Sequence, residues 1–250
     1  MSDEAAAPGE DPRHCLFVSD VHLEAVAGAA EQQFLAFLHG EAARADALYI
    51  LGDLFETWVG DDTSEHGDVL DALGALSASG VACFALHGNR DFLLGAAFSQ
   101  RTGCRVLPDP VVARFGGERV LLTHGDALCT DDHPYQELRT LVRDADWQRR
   151  FLSLPLATRQ QLADEARAGS RAHTARTQPR IMDVNAAAVQ AAFQSTRVRR
   201  IIHGHTHRPA VHEGLIDGQP TQRIVLGAWY EQGSYLAYRD GDYDLRALPR

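Results

Sequence analysis

Leu16-Phe17-Val18-Ser19-Asp20-Val21-His22 (LFVSDVH) passes from an unbroken apolar run into an acid and an imidazole two residues apart. A short apolar run that stops at polar residues fits a strand buried on both faces, as in a parallel sheet covered by helices. The segments that follow repeat the pattern. Helical spacing appears in Phe34, Leu35, Phe37 and Leu38, and a second apolar run, Ala47–Leu51, stops at Gly52-Asp53. A turn-rich loop and a helical pattern around Val69–Leu76 lead to a third run, Val81–Leu86, which stops at His87-Gly88-Asn89-Arg90-Asp91. This alternation predicts an α/β protein with a parallel sheet. From Asp20 to Asp53 to Asn89 the polar clusters recur 33 and 36 residues apart, close to the roughly 30 residues of one strand–helix–strand unit.

Beyond Leu86 the rhythm changes. Val111–Phe115, Gly116-Gly117 and Arg119–Thr123 read as a β-hairpin ending at His124-Gly125-Asp126. From about Asp131 to Met182 the chain reads as mostly helical, with no strand. Strands return at Val198–Ile202, Arg223–Leu226, Ser234–Tyr238 and near Tyr243–Leu248, and the first of them runs into His203-Gly204-His205-Thr206-His207. Every polar cluster sits where an apolar strand ends, and in an open α/β sheet that carboxyl-end rim is where ligands bind. Clusters from distant segments thus predict one composite site.

Asp20, His22, Asp53, Asn89, His124, His205 and His207 offer carboxylate and amide oxygens and imidazole nitrogens, with no sulfur. Such donors suit divalent ions such as Mn2+, Fe2+, Zn2+ or Co2+. Seven ligands exceed the four of a tetrahedral zinc and suit two ions sharing a bridging carboxylate. Taken singly, each has a plainer reading. Asp20-Val21-His22 could cap a turn or helix, Gly52-Asp53 and Gly88-Asn89 could be ordinary turns, and His124 could be a core histidine. His205 and His207 are stronger, because alternation puts both rings on one face. Together, in this order and all at strand ends, the residues point to a metal site.

Composition narrows the function. A formal net charge of −10 argues against coating nucleic acid. No apolar run is long enough to span a bilayer, and Met1 to Arg13, acidic and rich in small residues, reads as a disordered tail on a cytoplasmic protein. The cysteines (Cys15, Cys83, Cys104, Cys129) are scattered and read as free buried thiols. All 24 lysine-or-arginine positions are arginine, which excludes Schiff-base chemistry and Walker-type phosphate loops.

Asp20-x-His22, Gly52-Asp53, Gly88-Asn89-Arg90-Asp91, His124-Gly125-Asp126 and Gly204-His205-Thr206-His207 together resemble the calcineurin-like metallophosphoesterase superfamily, over Leu16 to about Arg239. The resemblance implies a four-layer αββα sandwich, here a single domain over 14–250 with a helical insertion at about 131–182. It implies that Asp20, His22, Asp53 and His207 hold one divalent ion, and that Asp53 (bridging), Asn89, His124 and His205 hold the other. Asn89, Arg90 and His124 are then the catalytic candidates, and a hydroxide activated by the two ions is the expected nucleophile. His203 has no ligand role in this pattern and reads as support.

Many relatives carry histidine after the Gly-Asn of the third motif, where it can protonate a leaving group; this chain has Arg90. Arginine donates no proton at neutral pH but binds phosphate oxygens well. That favours a leaving group that is already a weak base, such as phosphate leaving from a diphosphate. The longer stretches YILGDLFETWVGDD (49–62), HGNRDFLLG (87–95), HGDALCTDDHPYQ (124–136), IMDVN (181–185) and IHGHTHRPAVHE (202–213) resemble a group within the superfamily that hydrolyses UDP-2,3-diacylglucosamine to UMP and the lipid A precursor 2,3-diacylglucosamine 1-phosphate. The resemblance implies Mn2+ as the metal, work on the cytoplasmic face of the inner membrane as a peripheral protein, and no obligate protein partner. It implies a helical lid over the substrate, and substrate contacts from Asn89, Arg90, Asp132, Ser170, Thr174 and His205. Where a lysine is expected near the end of the lid this chain has Thr177, with Arg176 beside it as the possible replacement.

The lid segment has residues to suit that role. Trp147, Phe151, Leu152, Leu154 and Leu156 supply apolar surface, and 131–182 holds nine arginines against seven acids while the whole chain is acidic. A basic, apolar-lined flap fits a lipid with a diphosphate head and an anionic bilayer surface; amphipathic helices with solvated arginines are the plainer reading. Two rival functions are a broader phosphodiesterase for nucleotide-diphosphate conjugates and a non-catalytic scaffold. The scaffold has no need of a complete ligand set.

Overall fold

Alternation along the first three strands decides how the layers stack. In β1 (His14–Val18), Leu16 and Val18 face one apolar cluster while Cys15 and Phe17 face another. The same split divides Leu48 and Ile50 from Ala47 and Tyr49 in β2 (Ala47–Ile50), and Cys83 and Ala85 from Phe84 and Leu86 in β3 (Ala82–Leu86). A strand apolar on both faces must be covered on both. The computed structural model, which describes residues 12–170, the backbone of 171–176, and residues 181–230 and 232–248, shows what covers them.

One face packs on helices α1 (Ala29–His39), α2 (Gly67–Ala78) and α3 (Ala96–Thr102) through Phe34, Phe37, Leu70, Leu73 and Phe98. The other meets a second sheet. There Phe17, Tyr49 and Phe84 stack in a row across three strands, with centroids 5.1 and 4.7 Å apart, and Phe115 of the facing sheet meets Phe17 edge-on at 5.2 Å. Aromatic pairs in these geometries add to simple burial.

The first sheet runs β11-β10-β1-β2-β3-β4 and the second β5-β6-β7-β9-β8. The remaining strands are β4 (Arg105–Leu107), β5 (Val111–Phe115), β6 (Glu118–Leu122), β7 (Arg200–His203), β8 (Ala210–Ile216), β9 (Gln219–Val225), β10 (Ser234–Arg239) and β11 (Asp242–Ala247). Helix α7 (Ala186–Thr196) covers the outer face of the second sheet through Phe193, against Leu121 and Ile201. The order is therefore helices, sheet, sheet, helix: the expected four-layer sandwich.

Strands β1 to β4 are parallel, as expected, while β10 and β11 extend the first sheet in antiparallel pairing. The segment expected to be helical forms α4 (His133–Val142), α5 (Ala145–Leu152) and α6 (Leu156–Arg176). Four further elements carry little sequence signal. Helix α3 and strand β4 are too short to show a period, α7 is alanine-rich, and β8 is a largely exposed edge strand. The four cysteines are free and buried. Of the tail expected over 1–13, residues 1–11 lie outside the described residues, as do the side chains of Thr174 and Arg176, and Thr177.

Candidate active site

The turns after β1, β2, β3, β6 and β7 meet at one rim, and each delivers its polar residues there. Five of the residues they carry, Asp20, His22, Asp53, His205 and His207, have φ between 53° and 66°. The left-handed region is costly for side chains other than glycine, and such outliers cluster at functional sites. Two glycines let the turns close on one another. A Cβ on Gly88 would lie 2.0 Å from Asp53 Oδ1, and one on Gly204 would lie 2.0 Å from Ser19 Oγ and 2.1 Å from Asp20 Oδ2.

All seven sequence candidates arrive in one cluster. His207 Nε2 lies 3.2 Å from Asp20 Oδ1 and 3.1 Å from His22 Nε2. Asp53 Oδ2 sits between the two halves, 3.8 Å from His22 Nε2 and 3.7 Å from His124 Nε2. On the far side, Asn89 Oδ1 is 2.9 Å from both His124 Nε2 and His205 Nδ1. Asp20, Asp53 and His124 are buried.

Outer contacts orient these rings. His22 Nδ1 lies 2.8 Å from Glu56 Oε2, and His124 Nδ1 lies 2.9 Å from the Leu51 carbonyl. Each partner is an acceptor, so the proton sits on Nδ1 and the Nε2 lone pair faces the cluster. In its neutral form His124 thus points the Nε2 lone pair at the Asn89 side-chain oxygen, so that side calls for a cation or a second proton, and Asp20 Oδ1 is buried without a hydrogen-bond donor. Converging acceptors without donors are what a cation resolves, and the O/N donor set suits a borderline or hard divalent ion. The residues present therefore fit metal.

The charges agree. Burial pushes the Asp53 carboxyl up. Burial works against the imidazolium of His124, yet the carboxylates of Asp53 and Asp20 outweigh it and raise that ring to about 9. Positive charge is thus favoured at the Asp53 and His124 part of the pocket, while burial, with His124 beside it, lowers His205 to about 4. His203 differs: burial lowers it to about 3, its Nδ1 lies 2.9 Å from the Gly204 carbonyl, and Arg223 Nη1 donates to its Nε2 at 3.0 Å. Its ring nitrogens are engaged away from the cluster, in keeping with a supporting role.

Several participants escaped the sequence reading. Asp91, fully buried, accepts from Gly88 N–H (2.8 Å), Leu54 N–H (2.8 Å) and Asp53 N–H (3.2 Å), lashing the second turn to the third. Asp126 accepts from Tyr135 Oη–H (2.6 Å) and Arg139 Nε–H (2.8 Å), joining the fourth turn to α4. Both acids end polar motifs that were in view, so position was the available signal. Glu56 and Tyr230, which packs on His22, gave none.

Beside the cluster, between α4–α6 and the rim, lies a cavity of about 550 Å3. Phe92, Leu138, Val142, Trp147, Phe151, Leu154 and Leu162 line its length, while Asn89, Arg90 and Glu56 stand where it meets the cluster. Arg139, Arg143, Arg150 and Arg167 add positive charge to its wall. Of the expected substrate contacts, Asn89, Arg90 and Ser170 line this cavity, and His205 stands in the metal cluster beside Tyr135 (5.8 Å). Asp132 is buried and caps α4, accepting from Tyr135 N–H at 3.2 Å.

The calcineurin-like phosphoesterase family matches residues 14–209. A UDP-2,3-diacylglucosamine hydrolase of Salmonella arizonae is 48% identical over 236 residues, covering 94% of this chain and 98% of its own length. The protein of that name in Aeromonas hydrophila is 50% identical over 233 residues, covering 92% and 96%. The family match, from the first strand to just past the last histidine of the cluster, and the near-half identity over nine-tenths of the chain establish that this chain belongs to the calcineurin-like phosphoesterase family.

Proposed function

We propose that the protein is a metal-dependent pyrophosphohydrolase that cleaves UDP-2,3-diacylglucosamine to UMP and 2,3-diacylglucosamine 1-phosphate. One observation carries the choice of substrate: an apolar cavity with a basic wall opens at Asn89 and Arg90, beside the cluster. A diphosphate joined to acyl chains needs both parts, within a volume typical of small-molecule sites. The relatives that bear this substrate in their name match nearly the whole chain. A broader nucleotide-diphosphate phosphodiesterase has no use for the apolar length of that cavity.

Asp20, His22, Asp53 and His207 would hold one divalent ion, and Asp53, Asn89, His124 and His205 the other, with manganese the ion we propose. When bound, the pair would lower the pKa of a water and, against two carboxylates, leave the pocket positive toward a phosphate ester. The chain supplies the rest. Asp53 Oδ1 accepts from Arg90 N–H (2.8 Å) and Trp58 N–H donates to the Arg90 carbonyl (3.2 Å), so the root of this arginine is fixed on both sides. Arg90 lines the cavity beside the cluster, where its guanidinium would grip diphosphate oxygens, and the departing phosphate, a weak base, needs no proton from it. Helices α4–α6 act as a lid that holds the acyl chains and excludes water.

The exposed leucines 138, 141, 152, 154, 156 and 162 and the arginines of this lid suit peripheral contact with the cytoplasmic face of the inner membrane. Among the described residues no helix is long and apolar enough to cross a membrane. The test is product identification with purified protein, Mn2+ and UDP-2,3-diacylglucosamine. UMP and the sugar 1-phosphate are expected, with a deacylated UDP-sugar cleaved far more slowly. Asp53→Ala and His124→Ala are expected to abolish turnover while the protein stays folded; near-normal rates in either would overturn the two-metal assignment.

A further inference from the structure

The cavity accounts for the acylated half of the substrate and leaves the nucleoside half without a place. Tyr230 stands at the His22 and His207 edge of the cluster, near enough to Glu56 and Arg90 of the cavity mouth for both charges to act on its hydroxyl. Its ring lies 4.9 Å from that of His22 at 16°, and 5.4 Å from that of His207 at 66°. It is 63% exposed, and among the described residues it is the only aromatic side chain left largely open to solvent. Every other ring is buried, or half-buried in the core or the cavity wall. His22 covers one face of Tyr230, and most of the residue's remaining surface is open to solvent.

The loop that carries Tyr230 is anchored. Its neighbour Trp229 is buried edge-on against Phe34 (5.5 Å) and Phe37 (5.7 Å), and Trp229 N–H donates to the Asp20 carbonyl at 3.1 Å. A Cβ on Gly233 would lie 2.6 Å from the Trp229 ring, so the return of the chain is shaped around that indole. The exposed ring is therefore held in place before any ligand arrives, which removes an ordering cost from binding. Glu56 joins ring and cavity: it touches His22 and also lines the mouth of the cavity. A diphosphate on the cluster thus has both the cavity and Tyr230 beside it.

We infer that Tyr230 is the stacking platform for the pyrimidine base of the substrate. This rests on the hydrolase reading above and assigns its nucleoside subsite. An open aromatic face beside a phosphate-binding centre is what a flat base recognises, and base–aromatic stacking is worth about 5- to 150-fold in affinity. The alternative is that Tyr230 only shields His22 from solvent.

Titration calorimetry on the manganese-loaded chain separates the two, with UMP and ribose 5-phosphate as probes that share a phosphate and a sugar and differ by the base. The wild type is expected to bind UMP at least about fivefold more tightly. Tyr230→Ala should erase that preference through UMP alone, leaving the ribose 5-phosphate constant within about twofold, and Tyr230→Phe should retain it. Absence of a preference in the wild type, an unchanged preference in Tyr230→Ala, or equal weakening of both probes with loss of manganese would each overturn the inference. If UDP-2,3-diacylglucosamine is not hydrolysed, the reading of the previous section fails instead, whatever the two titrations give.

Discussion

Replacing Arg159 by alanine is expected to release helices α4–α6, the proposed lid, from the rim, and the structure allows the size of the effect to be worked out. Arg159, in the first turn of α6, is 3% exposed. Its Nη1 donates to the Val59 carbonyl (2.6 Å) and to Asp62 Oδ1 (2.8 Å), its Nη2 pairs with Asp62 Oδ2, and its Nε donates to Leu154 O (3.0 Å). Gly60 leaves the room: a Cβ there would sit 2.3 Å from Nη1. The Leu154 bond is internal to the helical segment, so docking depends on the other two partners. A charge-assisted bond to the buried carbonyl contributes about 2 kcal/mol, and the pair with the 60%-exposed Asp62 side chain, discounted for solvent, about 1 kcal/mol. Losing about 3 kcal/mol raises local opening about 100-fold. Hydrogen exchange of the α6 amides reads this directly, and Asp62→Ala alone should give only about a fivefold rise. Because Val59 follows Trp58 in the cavity wall, the KM for the acylated substrate should rise with the exchange rates. Exchange in α6 that changes less than about threefold in Arg159→Ala would refute the latch.

Three further outcomes are expected. Gly204→Ala must move Asp20 or Ser19 by about 1 Å, since the new Cβ would stand 2.0 Å from one and 2.1 Å from the other; manganese affinity should fall at least about tenfold, measured by calorimetry. Asp91→Ala strands three buried N–H groups and should cost about 3–5 kcal/mol in urea unfolding. His66 is lowered to about 4 by burial, so it stays neutral when folded while the unfolded chain protonates near 6.5. Its contribution is complete above that value and is lost as pH falls toward 4, by up to about 3 kcal/mol. Urea melts of wild type and His66→Phe should therefore differ in pH slope between those limits, and parallel slopes would contradict the assignment.

The convergence of the seven candidates was legible in the sequence because each follows a strand apolar enough to be recognised, and strand ends converge in an α/β sheet. Leu16–Val18, Ala47–Ile50 and Ala82–Leu86 announced three of the five turns unaided. What lay beyond reach depended on contacts between distant segments. Nothing local marks Asp91 as the acceptor for two different turns, or Tyr230 as a ring resting on His22. The cavity wall pairs Phe92 with Trp147, residues that no period connects. Asp132 shows the opposite case, a polar residue whose local helix-capping geometry decides where it points.

The left-handed conformation of five cluster residues was equally invisible, since aspartate and histidine carry no sign of φ, and it explains how the cluster is built. Each such residue costs about 1 kcal/mol relative to an ordinary conformation. The cost is met by bonds between turns that do not involve an ion. Asp20 N–H donates to Gly52 O (3.1 Å), His22 N–H to Asp53 O (3.0 Å) and Leu23 N–H to Leu54 O (3.0 Å), so the first turn is pinned to the second. His205 N–H donates to Asp20 Oδ2 (2.9 Å) and Gly204 N–H to His124 O (2.9 Å), pinning the last turn to the first and the fourth. The backbone thus fixes where the ligands stand, and the side chains are left to face one another. Removing a ligand atom and removing a turn contact are then different injuries. His207→Ala keeps every one of these bonds and should lose metal with the fold intact, whereas Asp91→Ala should lose stability and metal together. Equal stability losses in the two variants would show that the cluster, and not the backbone between the turns, holds the rim in shape.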